Sequence, residues 1–416
     1  MPIPPSSSLN VDVAIIGGGV AGSSLATALA SDGVTVAVIE RAPRFRDRVR
    51  GEALHPWGAA EADRLGLLPL LITAGGHPLP VWQRYEDRAP VDPYRWAADV
   101  PNGHVEWALP HPPLQETLLA HAASLGARVL RPIQAIILGR CRGQPQLELS
   151  TPSSNLTLHA RLVVGADGSH SVTRRWLGAA TVRDPIHHMI GGCLIDGVAL
   201  DEASTHQAYP PGAMVAAFPQ GQGRARVYLV CDPDRAATFR GPTASADFIA
   251  ACASALPAGA FAAATAAGPT AFFPAADTWA DRLAAADLVL IGDAAGANDP
   301  SQGHGLSLAF RDARELRDLL VTESNWAQAT ATFAARRAAY IAPLRAYAQW
   351  AGLLTIERGP LADARRERVI LAREADPTAG GFAAIYAFGP DGLIPDEAAR
   401  RHFFGEDLSL PSLAVS

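Results

Sequence analysis

Three short apolar runs end abruptly in glycine, and the rest of the chain is arranged around them. Val11, Val13, Ala14, Ile15 and Ile16 precede Gly17-x-Gly19-x-x-Gly22; Arg161-Leu-Val-Val leads into Gly165-Ala-Asp167-Gly168; Leu288-Val-Leu-Ile leads into Gly292-Asp293. A short, mostly apolar run bounded by glycine predicts a strand buried on both faces, as in a parallel sheet. After the first run the pattern predicts a helix from about Ala21 to Ser31 that ends near Gly33. A second β-branched run, Val34 to Ile39, then delivers Glu40.

Between these units the period changes. "GAAEADRLGLL" predicts a helix after His55-Pro56, and Leu70 to Pro110 predicts short strands and turns rich in Pro and Trp. Pro113 to Leu125 carries Leu114, Leu118, Leu119 and Ala122 at helical spacing. "ARVLRPIQAIIL" predicts one strand, which "QLELST" and "LTLHARLVVGADG" extend as a meander. Residues 180 to 285 predict a second, largely antiparallel sheet, with a hairpin turn at Gln220-Gly-Gln-Gly and a helix near Ala246 to Leu256. Trp326 to Ala375 predicts helix, with Ala334, Ala338, Ile341 and Leu344 on the buried face and breaks or kinks at Pro343 and Pro360. The tail, Asp376 to Ser416, predicts turns packed through Phe382, Tyr386, Phe388, Phe403 and Phe404.

The spacing of the first unit carries chemistry. In G-x-G-x-x-G at the mouth of a helix, Gly17 makes the turn and Gly19 lets a pyrophosphate approach the backbone. Gly22 lets helix pack on strand, and an acid at Glu40 is placed to hold a ribose hydroxyl. Dinucleotide binding follows. Arg44, Arg46, Arg48 and Arg50 crowd the next loop, either as solvated partners of Asp47 and Glu52 or as phosphate contacts. Asp167 and Asp293 stand at carboxyl ends of predicted parallel strands, where an open α/β sheet takes its ligand.

Composition removes other classes. A net charge of −6 over 416 residues gives no footprint for nucleic acid, and no apolar run is long enough to span a membrane. Cys141, Cys193, Cys231 and Cys252 lack metal spacing, so no metal site is expected and reduced thiols fit a cytoplasmic setting. The first ten residues lack the pattern of a signal peptide. The sequence contains no lysine, which removes any mechanism that needs a catalytic one.

Taken in order, Gly17-x-Gly19-x-x-Gly22 with Glu40, Gly165-Ala-Asp167-Gly168, and Gly292-Asp293 with Asp299-Pro300 and Gly303-x-Gly305 resemble the para-hydroxybenzoate hydroxylase-type, single-component FAD-dependent monooxygenases. The resemblance implies an α/β fold: a Rossmann-like FAD-binding domain, an interleaved, largely antiparallel β-sheet substrate domain, and C-terminal helices. The FAD-binding domain would comprise residues 10–70, 111–179 and 286–325. The substrate domain would comprise 71–110 and 180–285, with 326–416 forming the C-terminal helices and tail. FAD would be held by Gly17, Gly19, Gly22, Glu40, Arg41, Arg50, Gly51, His111, Asp167, Gly292, Asp293, Pro300, Gly303, Gly305 and Leu306. NADPH or NADH and O2 would be co-substrates, and a C4a-hydroperoxide of the flavin would hydroxylate or epoxidise an apolar or aromatic small molecule of secondary metabolism.

The resemblance is incomplete. The family often has His where this chain has Gly296, Asn where it has Ser307, and Arg or Gln where it has His111. His55, His111 and His304 are the acid–base candidates, although flavin contact or packing is the better expectation for each because the flavin carries the reactivity. An FAD-dependent dehydrogenase or oxidase is the alternative, and a flavin-binding protein without chemistry is another. A flavin-dependent halogenase is disfavoured, since lysine and the W-x-W-x-I-P segment are both absent.

Overall fold

The computed structural model describes residues 7–49, 52–91, 93–100, 103–152 and 154–408. Five parallel strands form the frame in the spatial order Arg128–Leu130, Val36–Ile39, Ser7–Ile16, Asn155–Gly165, Leu288–Leu290. Alternation sorts the first strand's side chains onto two faces. Val13 and Ile15 join the core with the helices Val20–Ser31, His111–Ser124 and Gly305–Thr322; Ala14 and Ile16 join the core on the opposite side. Because both faces are covered there, the strand's second half, Val13 to Ile16, reads as apolar throughout, whereas Ser7, Ser8, Asn10 and Asp12 precede it.

The run expected to form one strand, Ala127 to Leu138, forms two. Arg128–Leu130 stays in the parallel sheet, whereas Ala135–Cys141 begins an antiparallel meander with Gln144–Ser150 and Asn155–Gly165. Pro132 lies in the gap, and a residue without an N–H cannot serve a ladder in a sheet interior.

Among the described residues, the second sheet has nine strands. Its centre runs His188–Asp196, Arg224–Cys231, Ala213–Gly221, Ser204–Ala208, all antiparallel neighbours, and Val81–Glu86 then joins parallel to Ser204–Ala208. The predicted hairpin turn is present, with Gly221, Gln222 and Gly223 all at positive φ. One sheet face buries Cys193, Val215, Val227 and Leu229 against Phe248 and Cys252 of the helix Ala244–Ala253. The other face looks toward the first domain. Not all of Leu70 to Pro110 is strand and turn: Leu68–Thr73 and Trp96–Asp99 are helical. His77–Leu79 and Glu106–Ala108 pair with each other, and Glu106–Ala108 also pairs with Ala53–Leu54, forming a separate three-stranded sheet.

The helix Trp326–Thr355 runs through Pro343, whereas Pro360 does mark a break, as the first residue of the helix Pro360–Ala375. Its buried face corrects the expectation. Phe333, Arg337, Tyr340, Leu344 and Tyr347 face inward, while Ala338 is exposed. A buried arginine displaced the stripe that apolar counting selects. In the tail, helices Ala383–Phe388 and Glu397–Phe403 replace the expected turns, and Tyr386, Phe403 and Phe404 are buried as expected. Residues 409–416 lie outside the described residues. Among the described residues, no helix is long and apolar enough to cross a membrane.

Candidate functional site

A cavity of about 1400 Å3 starts at the first glycine turn and continues to the inner face of the second sheet. Gly17 has φ +104, and a Cβ there would lie 2.3 Å from the Ala166 carbonyl oxygen. A Cβ on Gly22 would lie 2.0 Å from the Gly17 carbonyl oxygen, so Gly22 serves helix-on-turn packing and is not among the described lining residues. Gly19 is the N-cap of the helix Val20–Ser31 and provides no side-chain cap. The first amides of that helix have no intrahelical acceptors, and its dipole favours an anion at this end. Glu40 receives the backbone N–H of Gly18 at 2.8 Å and of Ala42 at 2.6 Å, which fixes its carboxylate at the cavity wall.

Asp167 also lines the cavity, but its carboxylate is engaged locally. It accepts from the Ser171 hydroxyl at 2.5 Å and from the amides of Val172 and Thr173 at 2.7 and 3.1 Å, capping the helix Val172–Trp176. The buried Arg174 on that helix donates to the carbonyls of Ala294 and Asp293, tying the second glycine stretch to the third. Asp293 itself is exposed toward the cavity. Behind it, Asp312 Oδ2 accepts from Gly292 N at 2.7 Å and from Arg337 Nε at 2.9 Å, and Tyr340 donates to Oδ1. Arg337 also donates to the carbonyls of Gly292 and Gly296. This buried clamp was not anticipated. A charged residue inside a helical stretch gives no sequence signal unless its partner is known.

Pro300, Gly303, Gly305 and Leu306 line the same cavity, with Gly303 at φ +72. His55 holds this turn from below. Its Nε2 donates to the Gln302 carbonyl at 2.8 Å, because a carbonyl can only accept, and its Nδ1 lies 2.8 Å from Glu106 Oε1. The Thr205 hydroxyl, from the second sheet, donates to Glu106 Oε2. Glu106 and Thr205 were not anticipated. His304 does not join the cavity wall: it is fully buried, with Trp57 Nε1 donating to its Nδ1 at 3.4 Å and rings of His55 and Tyr386 against it. Burial, and secondarily the neighbouring His55, push its imidazolium pKa well down, so it is neutral.

His111 lines the cavity at the first turn of its helix, as do Arg41, Arg44, Arg46 and Arg48 in the loop after Glu40. Arg50 and Gly51 lie outside the described residues. At the far end the lining comes from Trp82, Ile190, Met214, Phe218, Tyr228 and Phe273. Here Glu52 accepts from the Tyr228 hydroxyl at 2.9 Å and lies 2.5 Å from Arg226 Nε; Arg226 Nη2 donates to Asp47 at 2.6 Å. Burial pushes Glu52 up to about 7 against the opposing pull of Arg226. Among the described residues no group of His, Cys, Asp and Glu could hold a metal ion.

The arrangement joins a site suited to a dinucleotide with an apolar chamber. Residues 10–342 match the FAD binding domain family. A rifampicin monooxygenase from Rhodococcus hoagii is 27% identical over 337 residues, covering 76% of this chain and 65% of its own length. The chain thus spans less than two thirds of that relative. The 3-demethoxyubiquinol 3-hydroxylase of Escherichia coli is 28% identical over 337 residues, covering 77% of this chain and 82% of its own. In fold, the p-nitrophenol 4-monooxygenase from Pseudomonas putida superimposes with a TM-score of 0.75 at 20% identity, covering 89% of this chain and 95% of its own.

Proposed function

The chain belongs to the FAD binding domain family, and on that premise we propose that it is an FAD-dependent monooxygenase. It takes electrons from NADPH or NADH and inserts one atom of O2, by hydroxylation or epoxidation, into an aromatic or apolar small molecule of secondary metabolism in the cytoplasm. The observation that carries this reading is continuity: one cavity joins the three glycine stretches to the apolar face of the second sheet.

The residues present fit FAD. Side chains are absent at Gly17 and Gly19, where a Cβ at the first would strike Ala166. The uncapped helix start at Val20 offers amides to a pyrophosphate. Glu40 would hold the adenosine ribose, Asp293 the ribityl hydroxyls, and Pro300 with Gly303 to Leu306 would flank the ring. Arg41, Arg50, Gly51, His111 and Asp167 would complete the cofactor site, Gly22 and Gly292 shaping its backbone. Bound FAD would supply the activation of O2. The chain's own residues orient and exclude water: the segments 71–110 and 180–285 cover the chamber, the segments 10–70, 111–179 and 286–325 hold the cofactor, and the described part of 326–416 buttresses both. The His55–Glu106 pair fixes the Gln302 carbonyl, and no role in proton transfer to substrate is required of it.

The test is to reduce the FAD-loaded protein anaerobically with NADH or NADPH, then admit isotopically heavy O2 with candidate aromatic compounds. One heavy oxygen atom in a product supports the proposal. Return of the electrons to O2 as hydrogen peroxide in every case refutes oxygen insertion and leaves an oxidase.

A further inference from the structure

The second-sheet end of the cavity has a distinctive charge arrangement. Strand alternation turns Met214, Ala216 and Phe218 of one strand, and Tyr228 of the next, toward the cavity. Arg226, two residues before Tyr228, lies on the same face, and in many chambers an arginine so placed would receive an anionic ligand. Here its charge is already paired on two sides, while the buried Nη1 has no hydrogen-bond partner. Its Nη2 donates to Asp47 at 2.6 Å, and its Nε lies 2.5 Å from Glu52, whose Oε2 also receives the Tyr228 hydroxyl. Arg226 is 1% exposed and is not among the described lining residues, whereas Glu52 and Tyr228 are. The buried carboxylates and imidazoles among the described lining residues are Glu52, Glu106 and His55; the described lining arginines, Arg41, Arg44, Arg46, Arg48 and Arg183, are all exposed.

Resting on the monooxygenase reading of this cavity, we propose that the chamber admits an uncharged aromatic ligand and discriminates against an aromatic carboxylate. Asp47 and Glu52 are the residues that decide, by withholding Arg226. A carboxylate entering the chamber would lose its hydration beside Glu52 and, among the described lining residues, find no buried arginine to pair with it. An amide or phenol of the same shape loses far less, and its ring meets Trp82, Phe218 and Phe273.

The test is calorimetric binding to the oxidised, FAD-loaded protein without NADH or NADPH, so that no turnover occurs. The probes are 2-naphthamide and 2-naphthoate, alike in shape and different in charge. The amide is expected to bind at least about tenfold more tightly. Equal or tighter binding of the naphthoate overturns the proposal, and so does failure of both to bind. In Asp47→Asn, Arg226 loses one of its two carboxylate partners and keeps Glu52, so the preference is expected to narrow; in Asp47→Asn with Glu52→Gln it loses both, and the preference is expected to narrow by about tenfold or reverse. Asp47 lies in an exposed loop, so the single variant remains informative if the double variant fails to fold. An unchanged preference in a folded, FAD-loaded variant shows that Arg226 is not what decides. Oxygen transfer is not read in this experiment. A protein that prefers the amide yet never oxygenates any compound keeps the charge preference and loses the monooxygenase reading.

Discussion

A methyl group at Gly17 would sit 2.3 Å from the Ala166 carbonyl oxygen, on a backbone at φ +104 that alanine rarely adopts. Gly17→Ala is therefore expected to cost roughly 1–3 kcal/mol of stability. It should also weaken FAD binding by more than about tenfold, since the turn and the helix start must shift together. Flavin titration of the apoprotein measures the second effect, and wild-type affinity would contradict the cradle assigned to this turn. Asp277 makes a different prediction. Burial, with the carboxylate of Asp299 beside it, raises its pKa from 3.8 to about 7. The folded state thus holds a proton that the unfolded chain releases near its ordinary pKa. The resulting stability is fully present below about pH 4, declines as pH rises toward about 7, and is flat above that. The loss amounts to at most about 4 kcal/mol. Thermal denaturation of Asp277→Asn should show a shallower decline over this window than wild type. Parallel curves would rule out Asp277 as a source of the slope.

At the scale of elements, the helices Gly305–Thr322 and Trp326–Thr355 are joined through Asp312, Arg337 and Tyr340, and the same groups hold Gly292. Arg337→Ala would leave Asp312 buried and unpaired, at a cost of about 3–5 kcal/mol. Replacing both partners by leucine should cost less than this single change, because no charge is stranded. Chemical denaturation of the two variants compares them directly; a double variant less stable than the single one would refute the account. The clamp also explains a sequence-level error. Apolar counting selects Ala334 and Ala338, yet the helix rotates to bury Arg337, because its guanidinium satisfies the Gly292 and Gly296 carbonyls as well as Asp312. The glycine turns were legible because their steric demand is local. The ion pair was not, since its partners stand 25 residues apart and look like surface charges.

At the scale of the molecule, the cavity is built from both sheets, so the proposed FAD site depends on surfaces that only the folded chain brings together. Ligand present at about a thousand times its Kd stabilises by about 4 kcal/mol. Stripping FAD should therefore lower the melting temperature by several degrees, with recovery on adding it back. A melting temperature indifferent to FAD would contradict the proposed cofactor site.

Local sequence determined much of this protein. Runs of apolar residues ending in glycine dictated the parallel strands and their turns, because strand burial and positive φ are demands a residue meets or fails by itself. Helical spacing dictated His111–Ser124, and the Gly221–Gly223 turn dictated its hairpin. Tertiary structure decided what depends on distant partners. It set Asp167 to capping a helix, buried His304 away from the cavity, and brought Glu106 and Thr205 to His55 from separate strands. It also placed Asp47 and Glu52 around Arg226, 179 residues beyond Asp47. Charge pairing is an interaction between two positions in space, and a linear sequence records each of them without recording their meeting.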